Sequence, residues 1–263
     1  MTESNLPSFD NPPVVEVAMG LQFNQLANVT TAHWGLFWNV VQAEYPQCSD
    51  NAPLFPQIED FNVPGAVANV GIALFPLPPQ RRVFLTDNDR EWLLQLQPDR
   101  FLHNWRLPGE AGRYPRYEAV AKRFFRQWEN FNRFLADRSL GPAVVSQAEM
   151  TYLNRIVPEN KDFKIGDIFP DLRWQDRGRF LAQPETTTLE RTFCSADRRQ
   201  RLRVSIRPGY EPDKGRLVFC EITVRGGTQD DLPGWFDTAH AWIVNAFADL
   251  TSEAWHQIWG RTV

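Results

Sequence analysis

An α+β fold, built as two copies of one strand, helix, antiparallel sheet and long helix unit, is what this sequence predicts, and three observations carry it. Strand-like runs that look like beginnings occur twice, at residues 14–23 and again at 149–158, just past the midpoint of the 263 residues. After each, the chain repeats one order: an intervening segment, several strand-like runs, then a long amphipathic helix. Both of those helices are rich in Trp or Phe. The units are expected at 14–138 and 146–263, packed as one body behind a flexible lead-in at 1–13.

In residues 14–23, Val15, Val17, Met19, Leu21 and Phe23 alternate with Glu16, Ala18, Gly20 and Gln22, the period of a half-buried strand. Thr30 or Thr31 can cap a helix reaching Tyr45, because Trp34, Phe37, Trp38, Val41 and Tyr45 form one apolar stripe ended by Pro46. Residues 47–64 read as proline-punctuated loop. Val70, Ile72 and Leu74 alternate along a strand that the Pro76–Pro79 cluster stops. Strands at 83–86 and 92–97 flank the turn 87–90, and 101–106 follows. Tyr117, Val120, Ala121, Phe124, Trp128, Phe131 and Leu135 hold a helical stripe over 117–135, and Gly141-Pro142 lies in the joint after it.

In the second half the opening strand runs over 149–157. Residues 161–172 are too short and proline-limited for a full helix, so the repeat is imperfect. Strands at 189–194, 201–207 and 216–225 alternate with turns at 195–199 and 208–215. The terminal helix carries Phe236, Ala239, Ile243, Ala246, Phe247 and Leu250, with an interruption at Asp249-Leu250-Thr251-Ser252 before 254–259 because Thr251 and Ser252 prefer caps to helix interiors. Antiparallel strands with helices on one face cover the apolar side economically. The outline resembles the saddle of TATA-box-binding-like folds, with the two opening strands near a pseudo-twofold axis, and it carries no function with it.

Composition narrows the function. A formal charge of −4 with 23% charged residues argues against non-specific coating of nucleic acid or anionic membrane, since both need a dominant basic field. The three cysteines, Cys48, Cys194 and Cys220, form no CxxC, and Cys194 and Cys220 are expected as packed strand residues. A reducing, cytoplasmic location follows from that usage. No secretory leader is expected at the N-terminus, and the uncharged run 61–80 has too many Pro, Gly and Asn to span a membrane.

The best candidate surface is on the second half's strands. Period two sends Leu202, Val204 and Ile206 toward the core and Arg201, Arg203, Ser205 and Arg207 to the other face, where Arg191 and Arg225 join them. Arginine forks suit phosphates and carboxylates, so this face is a candidate ligand or partner site. The bland alternative, a solvated face balanced by Glu190 and Glu221, is the first expectation. A second cluster, Arg100, Arg106, Arg113, Arg116, Arg123 and Arg126 with Trp105, Tyr114 and Tyr117, reads as helix surface and aromatic packing before it reads as a grip. Glu16 and Arg155, on the two opening strands, are expected to pair across the seam.

Catalytic patterns are weak. His33, His103, His240 and His256 lack HxxxH spacing, and Asp237 three residues before His240 suits a helical side-chain contact better than a dyad. GxSxG, Walker and GxGxxG motifs are absent, and no metal or cofactor is expected. Asp230 and Asp231 suit the dipole of the terminal helix. Trp235, Trp242, Trp255 and Trp259 exceed one stripe; burial within the monomer is the first expectation and a homodimer the second.

Several stretches resemble a sporadically distributed bacterial family of uncharacterised proteins: the Asn11-to-Glu16 opening NPPVVE, QLQPDRF from Gln95, NWR from Asn104, YPRYE from Tyr114, TYLNRI from Thr151 and the closing WGR from Trp259. The resemblance spans almost the whole chain. It implies a bacterial protein and, through the family's patchy distribution, a defence or stress system; it transfers no catalytic residue. The sequence-level expectation is a non-enzymatic interaction or regulatory protein binding a protein partner, the alternative a nucleic-acid or nucleotide-phosphate binder using the arginine strands.

Overall fold

The computed structural model describes residues 6–55, 57–63, 67–69, 81–109, 112–160, 162–175, 177–228 and 231–263. Its body is α+β: nine antiparallel strands in one sheet, with helices packed on one face. The strands are β1 (Val14–Phe23), β2 (Gln47–Asn51), β5 (Arg82–Thr86), β6 (Trp92–Gln97), β7 (Arg100–Arg106), β8 (Val145–Ile156), β9 (Leu189–Cys194), β10 (Gln200–Glu211) and β11 (Gly215–Gly226). A separate hairpin pairs β3 (Gln57–Glu59) with β4 (Val67–Asn69). The large sheet runs β2-β5-β6-β7-β1-β8-β11-β10-β9, so the two opening strands, β1 and β8, are its central neighbours.

Alternation along each strand sorts its residues between two faces. Val17, Met19, Leu21 and Phe23 of β1 join Phe101 and Trp105 of β7, Met150 and Tyr152 of β8, and Val204 and Ile206 of β10 in one buried cluster. Against it lie α1 (Thr31–Val41), α2 (Tyr117–Asp137), α4 (Leu232–Leu250) and α5 (Glu253–Ile258), while α3 (Ile165–Ile168) and a 3-10 turn at Pro170–Leu172 form the short segment of the second half. Phe37, Phe124, Phe131 and Phe236 are fully buried where helices meet sheet. The α4–α5 break falls at Thr251-Ser252, within the stretch from Asp249 to Ser252 where the sequence places the interruption. Trp235 and Trp259 are buried, and Trp242 and Trp255 pack against the core.

Several boundaries differ from the sequence reading. Helix α1 stops at Val41, short of Tyr45, which a following turn still buries. Strand β10 continues through Pro208, where a turn was expected; it has outrun β9, whose pairing ends at Ile206, and an edge position tolerates proline. Residues 47–51, expected as loop, form edge strand β2. The expected strand at Val70–Leu74 lies outside the described residues. Cys194, expected to be packed, is exposed on edge strand β9, whereas Cys220 is buried. Gly226, which closes β11, must be glycine because a Cβ there would lie 2.1 Å from the Arg199 carbonyl oxygen. Among the described residues no helix is long and apolar enough to cross a membrane.

Candidate functional site: an arginine face closed by its own chain

Three of the five candidate arginines converge on one carboxylate. Register places Arg201 of β10 opposite Arg225 of β11, and Arg203 opposite Thr223, on the face away from the helices. Above them lies Glu59, at the end of β3, with its side chain fully shielded from solvent. Arg203 grips it with a fork, Nε to Oε1 at 3.0 Å and an Nη to Oε2 at 2.8 Å. Arg201 donates to Oε2 at 3.0 Å, and Arg225 to Oε1 at 3.4 Å. Burial alone would push the Glu59 carboxyl up, but the hydrogen bonds and charges of Arg203, Arg201 and Arg225 outweigh it and hold the group below the ordinary carboxylate range. Arg225 is further paired with Glu149 of β8.

The other two candidate arginines stand apart. Arg207 pairs with Glu221 at 3.6 Å, and Arg191 pairs with Asp171 beyond the edge. Ser205 donates to Glu190 at 2.6 Å. The balancing partners Glu190 and Glu221 are therefore in place, yet Arg201 and Arg225 are buried rather than solvated, at 2% and 7% exposure. Burial and the neighbouring carboxylates Glu149, Glu190 and Glu16 raise Glu221, with Arg207 opposing them.

Glu59 arrives as part of a strap, residues 54–55 and 57–63, laid across the polar face. Side chains of the sheet hold its backbone point by point. Gln97 of β6 both accepts from Leu54 N–H and donates to Leu54 O, each at 2.9 Å. Arg100 of β7 donates to Phe55 O at 3.2 Å, Gln147 of β8 to Gln57 O at 2.7 Å, and Gln22 of β1 to the same oxygen at 3.2 Å. Gln147 also accepts from Glu59 N–H at 3.1 Å. Arg201 donates to Asp60 O and Val63 O at 2.7 and 2.8 Å, with its guanidinium 4.8 Å from the Phe61 ring centre. Such an array suits an extended chain bearing an acidic side chain: amides and guanidinium groups bond its peptide groups, and three arginines take the carboxylate.

The expected seam pair does not form. Glu16 stands opposite Leu153 of β8, and it bonds instead to Asn104 at 2.6 Å and Arg106 at 3.1 Å on its other neighbour, β7. Arg155 pairs with Glu211 at 3.3 Å. Both residues do lie on the central pair, but each turns to a partner away from the seam. Asp237 and His240 likewise do not meet: Tyr117 donates to Asp237 at 2.6 Å, and His240 bonds to Tyr152 at 3.0 Å.

Glu59 carries no signal in the sequence, because residues 47–64 have no period that would place one acidic residue over Arg201, 142 positions further along the chain. Of the glutamines that seat the strap, Gln22 was visible only as a polar alternate of the first strand, and Gln147 precedes the strand expected at 149–157. Among the described residues, no group of three or more His, Cys, Asp or Glu is placed to hold a metal ion. No family model, curated protein or solved structure matches the chain.

Proposed function

We propose that the protein is a non-enzymatic binding module whose arginine-rich sheet face takes an extended acidic segment of a protein partner, and that its own strap occupies that face until the partner replaces it. The observation that carries this is the convergence of Arg201, Arg203 and Arg225 on the single carboxylate of Glu59. The side-chain contacts to the strap's peptide groups support an extended ligand, since they read backbone and would serve a partner's chain equally well. Competition between strap and partner makes the site's affinity depend on how firmly Glu59 is held.

We read the body as an internal duplication with a saddle-like, TATA-box-binding-like outline. Strand order supports this: outward from the central pair, β1 is followed by β7, β6, β5 and β2, and β8 by β11, β10 and β9. Each half closes with its long helix, α2 or α4. Among the described residues, the second half contributes one strand fewer to the large sheet, four against five.

A fluorescein-labelled octaglutamate peptide, followed by polarisation at low salt, tests the binding reading. Glu59→Gln is expected to tighten its binding about tenfold over the native chain, and Arg203→Gln added to that variant to undo the gain. An octaglutamine control should not bind. Absence of saturable peptide binding in a folded Glu59→Gln protein overturns the proposal. Preference for an oligodeoxythymidylate, with affinity falling steeply as salt rises, would replace the acidic peptide with a phosphate ligand.

A further inference from the structure

On the opposite, helix-bearing side of the sheet is a second site that the arginine face does not use. A cavity of about 430 Å³ opens between the N-terminal segment, the start of α2, β8 and the middle of α4. Its apolar wall includes Ile243, Val244 and Phe247, and its polar groups are few and connected. Tyr114 and Tyr152 share a hydrogen bond of 2.7 Å, and Tyr152 meets His240 Nδ1 at 3.0 Å. Tyr117 stacks on the His240 ring, with centroids 4.2 Å apart and planes 7° from parallel, while its hydroxyl donates to Asp237.

Relative acidity orders the protons in this chain. A phenol is a far stronger acid than a neutral imidazole N–H, and imidazole nitrogen is the stronger base, so Tyr152 donates to Nδ1 and Tyr114 donates to Tyr152. His240 is thereby the tautomer with hydrogen on Nε2. That N–H has no hydrogen-bond partner among the described residues, and His240 is half-buried on the cavity wall. Burial holds the imidazole neutral, its pKa lowered to about 4 against the opposing pull of Glu118 and Asp237. Burial likewise raises the three tyrosines far enough to keep them protonated.

The rim holds backbone strain of the kind found at ligand clamps. Arg116 has φ 73° and ψ 160°, a region that residues other than glycine scarcely enter. Its guanidinium donates to Phe9 O at 2.9 Å, tying the N-terminal segment over the cavity. The tie and the stacked Tyr117 beside it fix the shape of the opening.

We propose that this cavity binds a small, neutral, ring-bearing ligand with one hydrogen-bond acceptor, the ring against Ile243, Val244 and Phe247 and the acceptor on His240 Nε2–H. Charged ligands are disfavoured because the cluster offers no counter-charge in its buried part, and an apolar ring lacking an acceptor leaves the imidazole N–H unmatched. The site is independent of the arginine face, since Tyr152 and Asn154 point to the other side of β8 from Glu149 and Thr151.

Fluorine NMR titration of the full chain tests it with three probes of similar size: 4-fluoroacetophenone, 4-fluorotoluene and 4-fluorobenzoate. The ketone is expected to bind saturably, the toluene about tenfold more weakly, and the benzoate not at all. Val244→Trp, at a half-buried position on the wall, should fill the space and abolish ketone binding. His240→Phe keeps a ring for Tyr117 to stack on and should bring ketone and toluene to near parity. The proposal is overturned if the native chain saturates with none of the probes, if folded Val244→Trp binds the ketone as before, or if the ketone preference survives in His240→Phe.

Discussion

On one side of β7, Phe101 packs among Phe124, Trp128 and Phe131 of α2; on the other, Arg100 and Asn104 bond to Gln22 and Glu16. The same strand thus supplies two buried surfaces that exclude water by different means. The helix face does so by filling volume with rings. The strap face does so by pairing: a chain of bonds runs from Arg82 to Gln95, Asn104, Glu16 and Arg106, and another gathers three arginines on Glu59. Filled volume tolerates a change of shape better than a change of polarity, whereas a paired lattice tolerates the loss of both partners better than the loss of one.

The largest expected effects come from breaking each face at its centre. Phe131 is fully buried and meets the rings of Phe23, Trp34, Phe37, Phe101 and Trp128, so Phe131→Ala should cost about 3–5 kcal/mol through lost transfer energy and a cavity. Glu59→Ala should cost a similar amount, about 3–5 kcal/mol, for a different reason: Arg201 and Arg225 stay buried without its carboxylate. Acid separates the two. Because Glu59's folded-state pKa is lowered, its contribution is present above the ordinary carboxylate value and is lost as pH falls through the lowered one. Urea unfolding at falling pH should therefore show the Glu59→Ala deficit narrowing while the Phe131→Ala deficit stays constant. Parallel pH profiles for the two deficits would mean that Glu59 acts by packing alone.

A smaller effect arises where the helix face breaks its own rule. His103 lies fully buried among the rings, its Nε2 accepting from the Tyr45 hydroxyl at 2.8 Å, stacked on Trp92, with Nδ1 buried and unpartnered. Burial, assisted by Arg123 and Arg126, lowers its pKa from 6.5 to about 3. A depressed histidine means that the unfolded chain binds the extra proton first, so stability falls with acid between those two values, by up to about 1.4 kcal/mol per pH unit. His103→Leu should remove His103's share of the acid slope while His240, whose pKa is lowered to about 4, keeps its own, at a neutral-pH cost of about 1 kcal/mol for the orphaned Tyr45 hydroxyl. Unfolding midpoints from pH 7 to pH 4 that keep the native slope in the variant would assign acid sensitivity elsewhere.

Most of the helix face was legible in the sequence, because volume-filling leaves a period: β1 has its expected limits, α2 its stripe, and the α4–α5 break its Thr-Ser signal. The strap face was legible only in part. Alternation placed Arg201, Arg203 and Arg225 on one side, since strand period is local. Their common partner was not, because Glu59 reaches them through tertiary contact across 142 residues of chain and a single carboxylate in a proline-rich loop has no pattern to betray it. The register that separates Glu16 from Arg155 was hidden for the same reason: neighbouring strands can be inferred from topology, but which residues face each other depends on the pairing register, which sets Glu16 opposite Leu153.

That register sets the smallest and most discriminating expectation. Proximity of the two central strands suggests a Glu16–Arg155 pair, whereas the geometry gives Glu16–Arg106 at 3.1 Å and Arg155–Glu211 at 3.3 Å. Both pairs are partly exposed, so each is expected to couple by at most about 1 kcal/mol, weakening with added salt. A double-mutant cycle on Glu16 and Arg106 should show that coupling. A cycle on Glu16 and Arg155 should be additive within about 0.5 kcal/mol, because the two share no partner. Asn104 sharpens the test, since its 2.6 Å bond to the same Glu16 oxygen means that Glu16→Gln retains an acceptor and should lose less than Glu16→Ala. Coupling between Glu16 and Arg155 instead would mean that the two central strands pair in another register than the one that sets Glu16 opposite Leu153.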